Sequence, residues 1–227
     1  MRIITNYYFD KKMLLDNKIM YQLVVENKKE YYNMIYKLKS QIIEKEEGDF
    51  RLSCDNEYID LFKKAELIID IFNISNDDRK IQSNLIKYYE NELNNTELKI
   101  DYYELVTIIN QFMLKLKNNI DIKIDYTDEL NLKDFLKTVK IKPSIKDDNP
   151  IDLLIDYIKY SSELAGIDII FICNLSSYLE EKEVDDLIKE LQLNEINLIM
   201  IENKKIDYKH KDVETIIIDK DLCEIHQ

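Results

Sequence analysis

Glycine and proline are scarce in this sequence, with two of each in 227 residues, and tryptophan is absent. The glycines, Gly48 and Gly166, stand far apart, so no glycine-rich loop can bring backbone N–H groups onto a phosphate. That argues against NTP hydrolysis. Arginine is nearly missing too, confined to Arg2, Arg51 and Arg79. Abundant Ile, Asn, Lys and Tyr beside so little Arg read as the bias of an AT-rich genome, which lowers the weight of any single lysine-rich stretch. The three cysteines, Cys54, Cys173 and Cys223, are scattered without zinc spacing, so neither a metal site nor a disulfide framework is expected, and the reading favours a reducing cytoplasm. His210 and His226 both fall in the polar C-terminal stretch and read as surface residues, so nothing recommends a catalytic triad. No apolar run approaches the roughly 20 residues of a membrane span, and the N-terminus lacks a basic region followed by an apolar core, so no signal peptide is expected.

What is present reads as an α/β protein. Met1–Tyr8 and Ile19–Val25 are β-branched and aromatic and predict strands, with Phe9–Lys18 between them polar and turn-like. Met34, Ile35, Leu38 and Ile42 recur at helical spacing over Glu30–Glu44, with Gly48 as the break, and a second helix is expected over Asn56–Phe72. Ser75 with Asp77 and Asp78 suits a helix start, followed by the face Ile81, Leu85, Tyr88, Tyr89 and Leu93. Leu105, Ile108, Ile109, Phe112 and Leu116 mark a second long helix, and the two predict an antiparallel hairpin. Ile120, Ile122 and Ile124 alternate with Asp121, Lys123 and Asp125 in extended fashion, and Thr127 can cap a short helix carrying Leu132, Phe135, Leu136 and Val139. Asn149-Pro150 opens a helix that Gly166 closes. The apolar runs Ile167–Cys173 and Ile196–Ile201, bracketing a helix over Glu180–Leu191, predict a βαβ crossover of buried strands, with a third strand at Val213–Ile218 and a polar tail over the last nine residues. The N-terminal strands and the C-terminal βαβ plausibly share one sheet. The expected division is an α/β head, 1–60 with 149–227, and an inserted helical leg, 61–148.

Charge is unevenly spread. The net value of −13 speaks against a polyanion partner, because phosphates are held by Lys and Arg. From Lys115 to Lys146, however, eight lysines outnumber five acids, whereas Asp147–Asn203 carries fourteen acids and three lysines. The leg is the basic part of an acidic chain. Its acids, Asp121, Asp125, Asp128, Glu129 and Asp134, lie close in sequence. Clustered carboxylates repel one another unless a cation neutralises them, and Ca²⁺ tolerates irregular sets of six to eight oxygens. The plainer reading is a solvated charged surface, and the spacing is not that of an EF-hand.

Three stretches carry a resemblance: Ile120–Asp125 with Leu132–Lys137; Ile169–Val184, reading Ile-Ile-Phe-Ile-Cys-Asn-Leu-Ser-Ser-Tyr-Leu-Glu-Glu-Lys-Glu-Val; and Leu198–Glu202 with the strand Thr-Ile-Ile-Ile-Asp after it. In order and spacing the chain resembles the ring-forming adaptation protein of type II-A CRISPR systems, the Csn-two family. The resemblance implies a degenerate P-loop-kinase-like head with a helical leg, and a homotetrameric ring. It implies Ca²⁺ at the leg and double-stranded DNA threaded through a basic hole with a preference for free ends. The role implied is spacer acquisition in antiviral defense, beside the CRISPR integrase and effector nuclease and without catalysis. Asp121, Asp125 and Asp134 match acid positions of the family and Lys137 a basic one, while Lys123 stands where a related sequence has an acid, leaving the number of Ca²⁺ sites open. Lys115, Lys117, Lys123, Lys140 and Lys142 join Lys137 as DNA-contact candidates by proximity. No aromatic–basic stripe or reading helix suggests base readout, so backbone contact without sequence preference is expected. Two other functions stay open: an acidic protein-interaction scaffold, and a nucleotide-dependent enzyme on the α/β head.

Overall fold

The computed structural model describes residues 2–16, 19–74, 79–123, 125–144, 149–204 and 210–226. The chain divides into two compact units, Met1–Ser75 with Ile145–Gln227, and Asn76–Ser144. The expected cap Ser75 with Asp77 and Asp78, and also Ile124 and Lys146, lie outside the described residues.

The first unit is built on a six-stranded sheet. β1 (Arg2–Thr5) and β2 (Met13–Leu15) belong to a separate antiparallel sheet, and β3 (Met20–Val25) is the first strand of the large one. Helix α1 (Lys28–Ile42) follows at once, capped by Asn27, whose side-chain oxygen accepts from the N–H groups of Lys29 and Glu30. β4 (Arg51–Cys54) and β5 (Glu57–Ile59) form a hairpin whose turn residues, Asp55 and Asn56, have φ of 50° and 69°. Polar Asp and Asn tolerate that left-handed backbone, which matches the strand twist. The segment expected as a helix over Asn56–Phe72 is thus mostly extended. After one turn, α2 (Leu61–Lys64), it forms β6 (Ala65–Ile68), all four residues buried. Ala-Glu-Leu-Ile is too short to show a period of its own; Glu66 is buried, accepting from the Tyr157 hydroxyl at 2.8 Å, and sheet pairing decides for a strand.

In the large sheet β6 pairs β7 (Ile169–Cys173), β7 pairs β8 (Asn197–Glu202), β8 pairs β3, and β3 pairs β9 (Val213–Ile218), all parallel. The predicted crossover through α7 (Glu181–Leu193) therefore forms. The supposed polar tail instead contributes β10 (Glu224–His226), antiparallel to β9. β1, expected in the same sheet as the rest, pairs instead with β2 and β4, giving the order β2-β1-β4-β5, and β2 lies within Phe9–Lys18, which was expected as a turn.

The core lies on both faces. Alternation along β7 sends Ile169, Phe171 and Cys173 into one apolar cluster with Leu23, Ile199 and Ile201 of the neighbouring strands, Met34 and Leu38 of α1, and Ile4, Phe50 and Leu52 of the small-sheet segment. Phe50 is fixed there by Gln41, whose side chain accepts from the Phe50 N–H at 3.2 Å and donates to its carbonyl. Gly48 permits this approach, since a Cβ on it would lie 2.3 Å from the Gln41 Oε1. On the opposite face, α6 (Pro150–Ala165) and α7 bury Leu154, Ile158, Leu187, Ile188 and Leu191. α6 starts and stops as read: Asn149 accepts from the Ile151 N–H at 3.1 Å, and Gly166 closes it at φ 67°.

The second unit holds α3 (Arg79–Asn95), α4 (Leu98–Asn118) and α5 (Leu132–Thr138). No helix among the described residues is long and apolar enough to cross a membrane.

Candidate nucleic-acid interface

Within the second unit, α3 contacts both α4 and α5. The 119–131 connector is tied to α4 by the Tyr102 hydroxyl donating to the Leu130 carbonyl and the Asn110 amide donating to the Asp128 carbonyl at 2.9 Å. Its described residues form no strand, contrary to the extended reading. Short-range alternation of Ile with charged residues finds no neighbouring edge to pair with. Thr127 is not the cap of α5 either: its hydroxyl accepts from the Glu129 N–H, while Asn131 caps the helix, accepting from Lys133 N–H at 2.8 Å.

All six lysines singled out are exposed. Lys115 and Lys117 occupy the last turn of α4 and Lys137 the last turn of α5, where a cation suits the negative end of the helix dipole. Lys123 lies in the connector, and Lys140, with φ 53°, and Lys142 lie just beyond α5. The five acids are exposed as well. Asp125, its side chain 104% accessible, faces Lys117 at 3.5 Å, and Asp134 faces Lys137 at 3.3 Å. Among the described residues no three His, Cys, Asp or Glu side chains are gathered so that they could hold a metal ion. Of the five acids, Asp125 and Asp134 each meet a lysine.

α4 has no buried residue. Of the face expected to form core, Ile108 is 62% exposed and Phe112 61%, and Leu116 is exposed beside them. The described residues thus leave an apolar helical stripe exposed on α4, an arrangement that marks contact surfaces.

In the first unit, the carboxyl ends of the parallel strands are where α/β sheets bind ligands. Here the connection from β3 to α1 is Glu26-Asn27, with no glycine and no room to wrap a phosphate. β7 ends in Cys173, buried, its thiol pushed up to about 12 by desolvation, and then Asn174 in the left-handed region at φ 54°. Beside them Glu202 is 1% exposed at the end of β8, accepting from the Ser176 N–H at 3.1 Å and its hydroxyl at 2.7 Å. Sequence reading missed Glu202, although an acid closing the apolar run Leu198–Ile201 was its signal. The Tyr31 hydroxyl sits beside Asn174 without a hydrogen bond of normal geometry, and burial raises its pKa. A cavity of about 320 Å³ opens next to Glu202, lined by Gln22, Leu179, Val184 and Met200.

Burial holds the Glu202 carboxyl above the usual carboxylate range, against the opposing pull of the Ser176 hydrogen bonds. A carboxyl with a raised folded pKa leaves the native state binding more protons than the unfolded one, so its contribution is present at low pH and is lost as pH rises through the folded value. Glu202→Gln is expected to raise the urea midpoint at neutral pH, with the gain shrinking as pH falls toward the ordinary Glu value. A midpoint that drops equally at both pH values would contradict this.

A family model described as CRISPR-associated protein (Cas_Csn2) matches residues 45–222. Comparison with curated proteins yields no match. Among solved structures, an ATP-bound bacterial Atm1-family ABC exporter aligns at a TM-score of 0.43 and 13% identity, over 96% of this chain and 37% of that one. This chain thus spans little more than a third of the exporter's length. An ATP-binding cassette of an ABC transporter in its ADP conformation aligns at 0.45 and 10% identity, over 96% and 86% of the two chains.

Proposed function

The chain belongs to the CRISPR-associated Cas_Csn2 family, and on that premise we propose that it serves spacer acquisition in the cytoplasm as a non-catalytic ring. In this reading the ring is a homotetramer of α/β heads with inserted helical legs, and it holds double-stranded DNA by its backbone. The integrase and effector nuclease of the same system are its partners. The supporting observation is the set of exposed lysines around the ends of α4 and α5, in a chain whose remaining surface is acidic. Phosphates dock by local potential, not net charge. The uncovered apolar stripe of α4 suits contact between copies, and a closed ring explains a need for free ends. The nucleotide-enzyme alternative has a two-residue, glycine-free β3–α1 connection against it.

Calcium enters through the two carboxylate–lysine pairs. Exposed pairs of this kind contribute little stability. A cation recruiting Asp125 and Asp134, with Asp121, Asp128 and Glu129, would free Lys117 and Lys137 for phosphate. Because the acids have to be gathered on binding, affinity should fall toward the weak end for Ca²⁺, with Kd of roughly 10⁻⁴–10⁻³ M.

The deciding experiment is a gel shift of linear against covalently closed circular duplex, with Ca²⁺ and with EDTA. Linear DNA should shift more readily, EDTA should weaken the shift, and affinity should fall on a log–log salt plot by about 0.9 per phosphate neutralised. No shift of either form would favour the acidic scaffold instead. An EDTA-insensitive shift with unchanged assembly would remove calcium from the account.

A further inference from the structure

Tyr32 and Tyr36 stand on the outer face of α1, 65% and 55% exposed, with ring centroids 6.0 Å apart and planes 16° from parallel. Lys28, Lys29, Tyr32, Tyr36 and Lys39 lie within twelve residues and share one face at helical spacing, a stripe that sequence reading passed over. One turn toward the N-terminus stand Lys28 and Lys29, both exposed and neither in an ion pair among the described residues. A helix start favours acids, so two ammonium groups there cost energy instead of gaining it. They add to the positive end of the dipole at one spot. The Asn27 side chain already accepts from the backbone N–H groups of Lys29 and Glu30, at 3.1 and 3.3 Å, which leaves the lysines themselves to meet an anion. Glu30, the acid of that turn, is half-buried and accepts from the Asn33 amide at 3.4 Å. Lys39, one turn beyond Tyr36, is held among the described residues by Glu44 at 3.6 Å, and Lys37 is occupied by Asp49 at 2.6 Å.

We infer that this face of α1 binds single-stranded nucleic acid, with bases stacked on Tyr32 and Tyr36 and phosphates drawn to Lys28, Lys29 and Lys39. Every base has a π-face, so parallel exposed rings flanked by cations hold a strand without reading its sequence. A protein partner fits less well, because lysine is depleted at protein interfaces. The site is separate from the lysines proposed for duplex DNA and does not rest on that reading.

The test is fluorescence anisotropy with a labelled oligothymidylate and, separately, a labelled blunt duplex. Tyr32→Ala with Tyr36→Ala should weaken single-strand binding at least about thirtyfold and leave blunt-duplex affinity unchanged. Tyr32→Phe with Tyr36→Phe keeps the rings and should retain affinity within about threefold. Lys28→Glu with Lys29→Glu should lower the single-strand salt slope by roughly 1.4. The inference is overturned if the wild type does not bind the single strand, or if the double alanine variant binds it as tightly. Equal loss of duplex binding would also overturn it. So would a change in sedimentation, which would make the face a contact between copies.

Discussion

A linear duplex is expected to show no shift with a variant carrying Lys137→Glu and Lys140→Glu, at protein concentrations that shift it fully with the wild type. Both side chains are exposed at the end of α5, and among the described residues Lys137 is engaged by Asp134 at 3.3 Å. Neither holds the fold, so circular dichroism should be unchanged. The left-handed backbone of Lys140, φ 53°, is the same constraint for Glu as for Lys. The size of the effect comes from repetition. A single phosphate contact adds little, but the proposed ring would present each lysine once per subunit. A protein that neutralises six to ten phosphates loses roughly 10³–10⁵ in affinity between 50 and 200 mM salt. Reversing two charges per subunit removes the same contacts and adds repulsion, so a loss on the order of 10³-fold at low salt is expected. A residual shift within about threefold of wild type would mean that these lysines face away from the duplex.

The exposure of these two lysines was legible in the sequence and the path of the five carboxylates was not, and the difference is one of range. A lysine needs only to be exposed to be a candidate, and exposure follows from its charge. An ion pair three residues apart on a helix, such as Asp134 with Lys137, is local and legible. The Lys117–Asp125 contact crosses the end of α4 into an irregular connector, where no periodicity applies. Whether five carboxylates converge depends on that connector's path. The sequence shows proximity along the chain, and among the described residues no three of the acids are gathered. The same division runs through the first unit. Asn149-Pro150 and Gly166 bounded α6 because capping chemistry is local. The runs ending in Cys173 and Ile201 announced buried parallel strands. β6 was lost inside a supposed helix because Ala65–Ile68 is only four residues long, too short to show a period, and its acid, Glu66, is buried by a distant partner, the Tyr157 hydroxyl. β10 was lost because an edge strand needs only a partner, and polar Glu224–His226 found β9. Glu202 and the Tyr32–Tyr36 pair went unread because their meaning is burial in one case and exposure in the other, and neither is written in residue type.

Phe171→Ala is expected to destabilise the protein by about 3–5 kcal/mol. Phe171 has no solvent exposure and lies at the middle of β7, with Leu67 of β6 and Ile199 of β8 as its lateral partners. Its ring meets Phe50 edge-to-face, centroids 5.9 Å apart and planes at 78°. That geometry contributes about 0.5–1.5 kcal/mol beyond the area buried. The cavity left by truncation cannot collapse easily. The strands on both sides are fixed by their hydrogen bonds, and Phe50 is pinned by Gln41 at both of its backbone polar groups. Domains of ordinary stability have about 5–15 kcal/mol in total, so this one change removes roughly a fifth of it or more. Urea unfolding followed by circular dichroism should show the midpoint falling steeply with the slope conserved. Phe171→Leu, which keeps most of the volume, should cost less than about 1.5 kcal/mol. If alanine proved as mild as leucine, the packing of the small-sheet segment and α1 against β7 would not be as described, because nothing else could fill that space.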